Sequence, residues 1–112
     1  MWKARIPNPF LNCNKIHPLQ QKKVRTLLDE LDTTHIEKIE IFGSSISDRC
    51  HVGSDVDVYI TLNKDVRRLI HTYIPYEYDL WTNYTVDDRL LAEIKKDCVT
   101  VYQKGENENI VR

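Results

Sequence analysis

Two strand-like runs separated by a short turn and loop constrain this chain more than any other feature. The first run, residues 38–42, places one charge between two β-branched residues and ends just before Gly43-Ser44. Ten residues further on, residues 55–62 alternate strictly between apolar and other side chains. Because successive side chains of a strand point to opposite faces, the alternation puts Asp55 and Asp57 together on the face away from the core.

The joint pattern is more specific than its halves. A lone Asp-x-Asp on a strand is usually a solvated face, and a lone Gly-Ser after a strand is usually a turn. At average residue usage, four fixed positions match at about one start in 10⁵, or roughly once in a thousand chains of this length. If the two strands pair, Gly43-Ser44 lies beside the carboxylates. Carboxylates for a cation and backbone N–H groups for phosphates suit a nucleotide with its metal.

The rest of the chain predicts a mixed α/β (α+β) domain. Pro18 suits a first helical position, and an apolar stripe at helical spacing follows it. A helix over 64–72 capped by Asn63, a third strand over 76–82, a helix ending at 95–96 and a short strand at 99–101 complete the pattern. We therefore expect a small mixed β-sheet with helices packed on one face, which leaves the other face free for a site.

Composition predicts one domain over 1–112, with an N-terminal arm (1–17), a core (18–104) and a polar tail (105–112). Sixteen Lys and Arg against 17 Asp and Glu give a net charge of −1, which disfavours nucleic acid as a partner. The three cysteines form no C-x-x-C pair, so we expect a reduced, cytoplasmic setting. No stretch resembles a signal peptide or reaches membrane-spanning length, so no membrane partner is expected.

These motifs resemble the nucleotidyltransferase superfamily with the DNA polymerase beta-like core, and most closely its minimal nucleotidyltransferases. The family hallmark is Gly-Ser, ten residues, Asp-x-Asp and a third Asp on a later strand, for which Asp79 is the match. The resemblance covers roughly residues 18–104. Members often carry Arg and Gly in the short helix after Gly-Ser, whereas residues 45–48 here read Ser-Ile-Ser-Asp. Arg49 is then the residue that could supply a positive charge in this region.

The resemblance implies a reaction and a role for each residue. An acceptor hydroxyl would attack the α-phosphate of a nucleoside triphosphate, which is ATP in the leading hypothesis. Two Mg²⁺ ions would offset the repulsion of the three carboxylates. Asp55 and Asp57 would bind the metal of the nucleotide, and Asp79 would join them at the second metal. The phosphates would be held by Gly43, Ser44 and Arg49.

The resemblance also implies a partner. Larger relatives add a helical acceptor domain, which nothing after Tyr102 is expected to build here. Minimal nucleotidyltransferases are commonly encoded beside a HEPN ribonuclease toxin, and act as its antitoxin by transferring AMP to a toxin tyrosine. Two alternatives stay open: transfer to a small molecule or RNA end, and a non-catalytic binding subunit with a vestigial metal site.

Overall fold

One four-stranded mixed sheet organises the computed structural model, which describes residues 1–105. The strands are β1 (Ile36–Phe42), β2 (Val56–Leu62), β3 (Tyr78–Thr82) and β4 (Val99–Gln103), in the spatial order β3-β2-β1-β4. Strand β1 is antiparallel to both β2 and β4, whereas β2 and β3 are parallel. The α-helices are α1 (Pro18–Glu30) and α2 (Asp88–Lys96), and 3-10 turns cover Cys13–Lys15 and Gly43–Ile46. The predicted mixed class is confirmed.

The core lies between α1 and one face of the sheet. Pro18 occupies the first turn of α1, as predicted, and the His17 side chain caps the helix by accepting the Leu19 N–H. Val24 and Leu27 are fully buried against the sheet. The alternation in β2 is also confirmed, because its four apolar residues are at most 3% exposed: Val56, Val58, Ile60 and Leu62.

The helix predicted over 64–72 is wrong. This segment is irregular, and Ile70 forms an isolated antiparallel bridge with Leu31. The Asp32 N–H donates to the Leu69 carbonyl at 3.0 Å, so the backbone groups that a helix would need pair with a distant segment. Asn63 does not cap a helix, since its side-chain amide donates to Glu37. The apolar residues of the segment still pack on the core, as the pattern predicted.

The N-terminal arm is fastened to α1 rather than free. Ile16 is fully buried in the core, and Cys13 is almost so. The Gln21 side chain, itself fully buried, donates to the Lys3 and Ile16 carbonyls and accepts the Arg5 N–H. The arm therefore covers part of the core, as its scattered apolar residues predict.

The sheet face opposite α1 is covered at one end and open at the other. Glu40 and Tyr59 are register partners on this face, and both are buried. Lys95 of α2 pairs with Glu40 and lies over the Tyr59 ring. The free part of the face is thus narrower than the sequence predicts, and it lies toward Asp57 and Asp79.

Two expectations from the sequence concern parts outside this sheet. Within residues 1–105, no helix is both long enough and apolar enough to cross a membrane. The predicted polar tail lies, apart from Gly105, outside the described residues.

Candidate active site

Strand pairing brings Asp57 and Asp79 side by side. Phe42, the last residue of β1, pairs with Asp57 of β2, and Asp57 in turn pairs with Asp79 of β3. Partners in register place their side chains on the same sheet face, so both carboxyls project from the open end of the face opposite α1. The parallel pairing of β2 with β3 therefore joins two residues that are far apart in the sequence.

The environment of Asp57 disfavours its charged form. Burial is the largest cause, followed by the negative charges of Asp79 and Asp55 and by a hydrogen bond with Asp79. Together they raise the pKa of Asp57 to about 6. Without a cation, then, the charged form of Asp57 is disfavoured, as expected for like charges in one site.

Gly43 makes room for this carboxyl. Its φ is +74°, a left-handed conformation that side chains rarely adopt. A Cβ at this position would overlap Oδ2 of Asp57 and would lie 3.2 Å from its Cγ. The sequence predicted that Gly43 lets the backbone approach a phosphate. In the structure the atom that fills this space belongs to Asp57.

Ser44 and Arg49 differ in how well they are placed. Ser44 lies in the 3-10 turn directly after Gly43, and its hydroxyl makes no hydrogen bond to any of residues 1–105. Arg49 is exposed in the turn that follows, where its backbone N–H donates to the Ser47 hydroxyl. Its guanidinium forms no salt bridge within the described part of the chain. Ser44 therefore directly follows the glycine against which the Asp57 carboxyl lies, while the structure gives no contact that holds Arg49 toward the carboxyls.

Asp55 lies just before β2 and is exposed. Its charge reaches Asp57, yet no group of three His, Cys, Asp or Glu side chains among residues 1–105 is arranged to hold a metal ion. Like charges account for this, because three ionised carboxylates would repel one another if assembled without a cation. The site thus has neighbouring carboxyl groups but, among residues 1–105, no complete set of metal ligands.

Two residues of α1 that the sequence did not single out bind the loop that precedes β2. Gln20, fully buried, donates through its side-chain amide to the Ser54 carbonyl at 2.9 Å. Lys23 donates to the same carbonyl at 3.2 Å. A signal for Gln20 was present, because it lies four residues before Val24, on the apolar stripe of the helix.

Comparison with protein families decides the class of this chain. A family model described as a nucleotidyltransferase domain matches residues 21–111, which is most of the chain. This chain belongs to the nucleotidyltransferase domain family. A search of curated proteins gives no match.

The resemblance to the polymerase beta-like superfamily is thereby confirmed, and nucleotidyl transfer is the activity that the family supports. Nucleotidyltransferase domains usually use a nucleoside triphosphate and a divalent metal. The side chains of this member fit such an ion in kind, since Asp55, Asp57 and Asp79 offer the oxygen ligands that Mg²⁺ prefers. A bound cation would supply Lewis-acid stabilisation of charge on the phosphates. The chain would contribute the carboxylates, the close approach of Gly43 to Asp57 and the Ser44 hydroxyl, which has no partner among residues 1–105.

The raised pKa of Asp57 predicts a pH-dependent stability in metal-free protein. A carboxyl whose pKa is raised by folding stabilises the fold below its unfolded pKa, and this contribution is lost as pH rises through about 6. Asp57→Asn keeps a hydrogen-bonding amide beside Asp79 and removes the charge. At pH 7 in EDTA it should raise the free energy of unfolding by about 1 kcal/mol, after allowance for solvent screening, and Tm by about 5 °C.

Thermal unfolding from pH 4.5 to 7.5 checks this expectation. Asp48→Asn serves as the control, because Asp48 is an exposed carboxylate of the same motif region, and its curve should follow that of the wild type. An Asp57→Asn variant that is less stable than the wild type at pH 7 would show that the carboxylate is structural.

Proposed function

We propose that this nucleotidyltransferase transfers AMP from Mg-ATP to a hydroxyl side chain of a partner protein, and that the partner is a HEPN-type ribonuclease toxin modified on tyrosine. The observation that carries the transfer chemistry is the Asp57–Asp79 carboxyl pair over Gly43, with Asp55 beside it. Ser44 would bind the phosphates from the adjacent turn. The choice of AMP and of the toxin rests on the likeness to minimal nucleotidyltransferases.

The openness of the site supports a protein acceptor. Asp55 and Asp79 are exposed on the surface, so a side chain on another folded molecule can reach them. Neither of them lines the groove of about 620 Å³ that Arg67, Arg68 and Leu80 help to form elsewhere on the chain. An open carboxylate site suits an acceptor that arrives with its own surface.

The charge balance supports the same choice. With 16 basic and 17 acidic residues, the chain has no surplus of cations to neutralise a phosphate backbone. Protein–nucleic acid binding depends strongly on such neutralisation, so an RNA end is the less favoured acceptor.

Intact-protein mass spectrometry tests the proposal. Incubating the chain and a HEPN-type toxin with Mg-ATP should add one or more AMP masses to the toxin, and peptide mapping should place them on tyrosine. Asp55→Asn/Asp57→Asn should abolish the added mass while leaving complex formation intact, because the exposed surface is otherwise unchanged. Asp48→Asn is the matched control and should transfer AMP like the wild type.

The contradicting result is equally specific. If the wild type neutralises the toxin with no change of mass, and the double variant neutralises it as well, the chain is a binding antitoxin and the transferase assignment fails.

A further inference from the structure

Gln20 contacts both segments of the proposed nucleotide site, the turn after Gly43 and the backbone at Asp55. Its side chain is fully buried at the start of α1. The amide nitrogen lies 3.2 Å from the Ser45 hydroxyl, 2.9 Å from the Ser54 carbonyl and 3.4 Å from the Asp55 carbonyl. Ser45 directly follows Gly43-Ser44, and Asp55 begins the Asp-x-Asp motif. One side-chain amide therefore spans the ten residues that separate the two motifs.

The same end of α1 fixes the Gly-Ser turn a second time. The His17 backbone N–H donates to the Ser45 carbonyl at 2.8 Å. Lys23, one turn further along, shares the Ser54 carbonyl with Gln20. The turn and the loop thus rest on one rigid helix, which sets their separation.

Burying this amide has a cost that packing alone does not explain. The Gln20 Oε1 atom is buried and has no hydrogen-bond partner within residues 1–105. An unpaired buried polar atom costs about 1–3 kcal/mol, whereas an apolar side chain on this stripe, as at Val24 and Leu27, would have no such cost. Sequences depart from such local rules most often at functional sites. The reason for a buried glutamine here should therefore lie in the three contacts of its amide nitrogen.

We propose that Gln20 is a positioning residue for the nucleotide: it fixes the spacing between the phosphate-binding turn at Ser44 and the metal-binding carboxylates at Asp55 and Asp57. This inference rests on nucleotide binding at the proposed site, and is independent of which acceptor is modified. A residue that orients metal ligands from behind contributes about 10–100-fold to affinity in other sites. We expect an effect of that size on Mg-ATP binding.

Calorimetry of Mg-ATP binding to Gln20→Met and Gln21→Met provides the test. Methionine keeps the length of glutamine and removes the donor, while Lys23 still satisfies the Ser54 carbonyl. Gln21 is the matched control, because it is equally buried in the same turn but binds the arm through Lys3 and Ile16. Gln20→Met should raise Kd for Mg-ATP by about 10–100-fold with little change of Tm. Gln21→Met should lower Tm and leave Kd unchanged.

Ser45→Ala gives a milder second variant that removes one contact of the Gln20 amide. It should raise Kd for Mg-ATP in the same direction, by a smaller factor. If the wild type binds Mg-ATP and both Gln20→Met and Ser45→Ala bind it equally tightly, the positioning role is overturned while the proposed function stands. If the wild type itself does not bind Mg-ATP, both fail.

Discussion

Gly43→Ala should reduce Mg-dependent nucleotide transfer by at least about 10²-fold, since a displacement of about 1 Å in a reacting group can cost that much. The added Cβ would overlap Oδ2 of Asp57, so the carboxyl must leave the position in which it pairs with Asp79. The backbone would also hold alanine at φ +74°, which costs about 1–3 kcal/mol in stability. Both consequences follow because glycine, unlike alanine, has no Cβ atom.

Two other glycines separate the two effects. Gly105 has φ +87°, and no atom of residues 1–105 lies within 4 Å of its would-be Cβ, so Gly105→Ala introduces the strain without overlap in this part of the chain. At Gly53 a Cβ would meet His51 at an ordinary 3.5 Å, so Gly53→Ala adds a methyl group in the site loop without overlap. Steady-state transfer assays and thermal unfolding of the three variants measure the outcome. Activity in Gly43→Ala equal to that in Gly105→Ala would mean that the position of Asp57 is not what Gly43 protects.

The largest loss of stability is expected from Lys95→Met. Glu40 is only 3% exposed, and its Oε1 lies 2.8 Å from the Lys95 Nζ and 3.7 Å from that of Lys38. The Cys98 thiol donates to Oε2 at 2.8 Å. Burial by itself would raise the pKa of Glu40, but the hydrogen bonds from Cys98 and Lys95 and the charges of both lysines outweigh it and hold that pKa below its usual range.

Removing Lys95 leaves Glu40 as a buried carboxylate whose remaining cation, among the described residues, is Lys38 at 3.7 Å. Breaking such a pair costs about 3–5 kcal/mol when the remaining charge is fully buried, and Lys38 offsets part of this, so we expect about 2–3 kcal/mol at pH 7. That corresponds to a decrease in Tm of about 10–15 °C. Lys96→Met is the matched control, because Lys96 pairs with Glu93 on the exposed surface and should contribute less than about 0.5 kcal/mol.

The pH dependence distinguishes the buried charge from lost packing. In the wild type, the lowered pKa of Glu40 gives stability that is present above its unfolded pKa and is lost as pH falls through the folded value. In Lys95→Met the sign reverses, since burial then raises the pKa of Glu40 and its protonation relieves the penalty. The difference in Tm between Lys95→Met and Lys96→Met should therefore shrink from pH 7 to pH 4.5. A difference that is constant with pH would assign the effect to packing.

The local pattern of the sequence predicted much of the fold and part of the site. Strict alternation in β2 identified both its buried face and the face that carries Asp57, because a strand has a period of two whatever it packs against. The helical spacing of α1 and its Pro18 start were equally local. The Gly-Ser and Asp-x-Asp spacing then placed the chain in a family.

The error over 64–72 shows where such reasoning ends. The apolar spacing there fits a helix, yet backbone groups of Leu69 and Ile70 pair with Asp32 and Leu31 more than thirty residues earlier. No local propensity reports a partner so distant, and tertiary hydrogen bonds override it.

By itself, then, the sequence determined which residues are candidates for the chemistry, since residue type and spacing along one strand are local properties. Tertiary structure alone decided their environment. Parallel pairing set Asp79 beside Asp57, burial and then this neighbouring charge raised the pKa of Asp57, and the fold turned Gly43 toward that carboxyl. It also buried the Glu40 carboxylate, which the sequence alone presents as an ordinary charge on a strand, and gave the buried Gln20 amide its partners in distant segments. Burial, register and close approach depend on segments that meet only on folding, and these quantities set charge and geometry at the site.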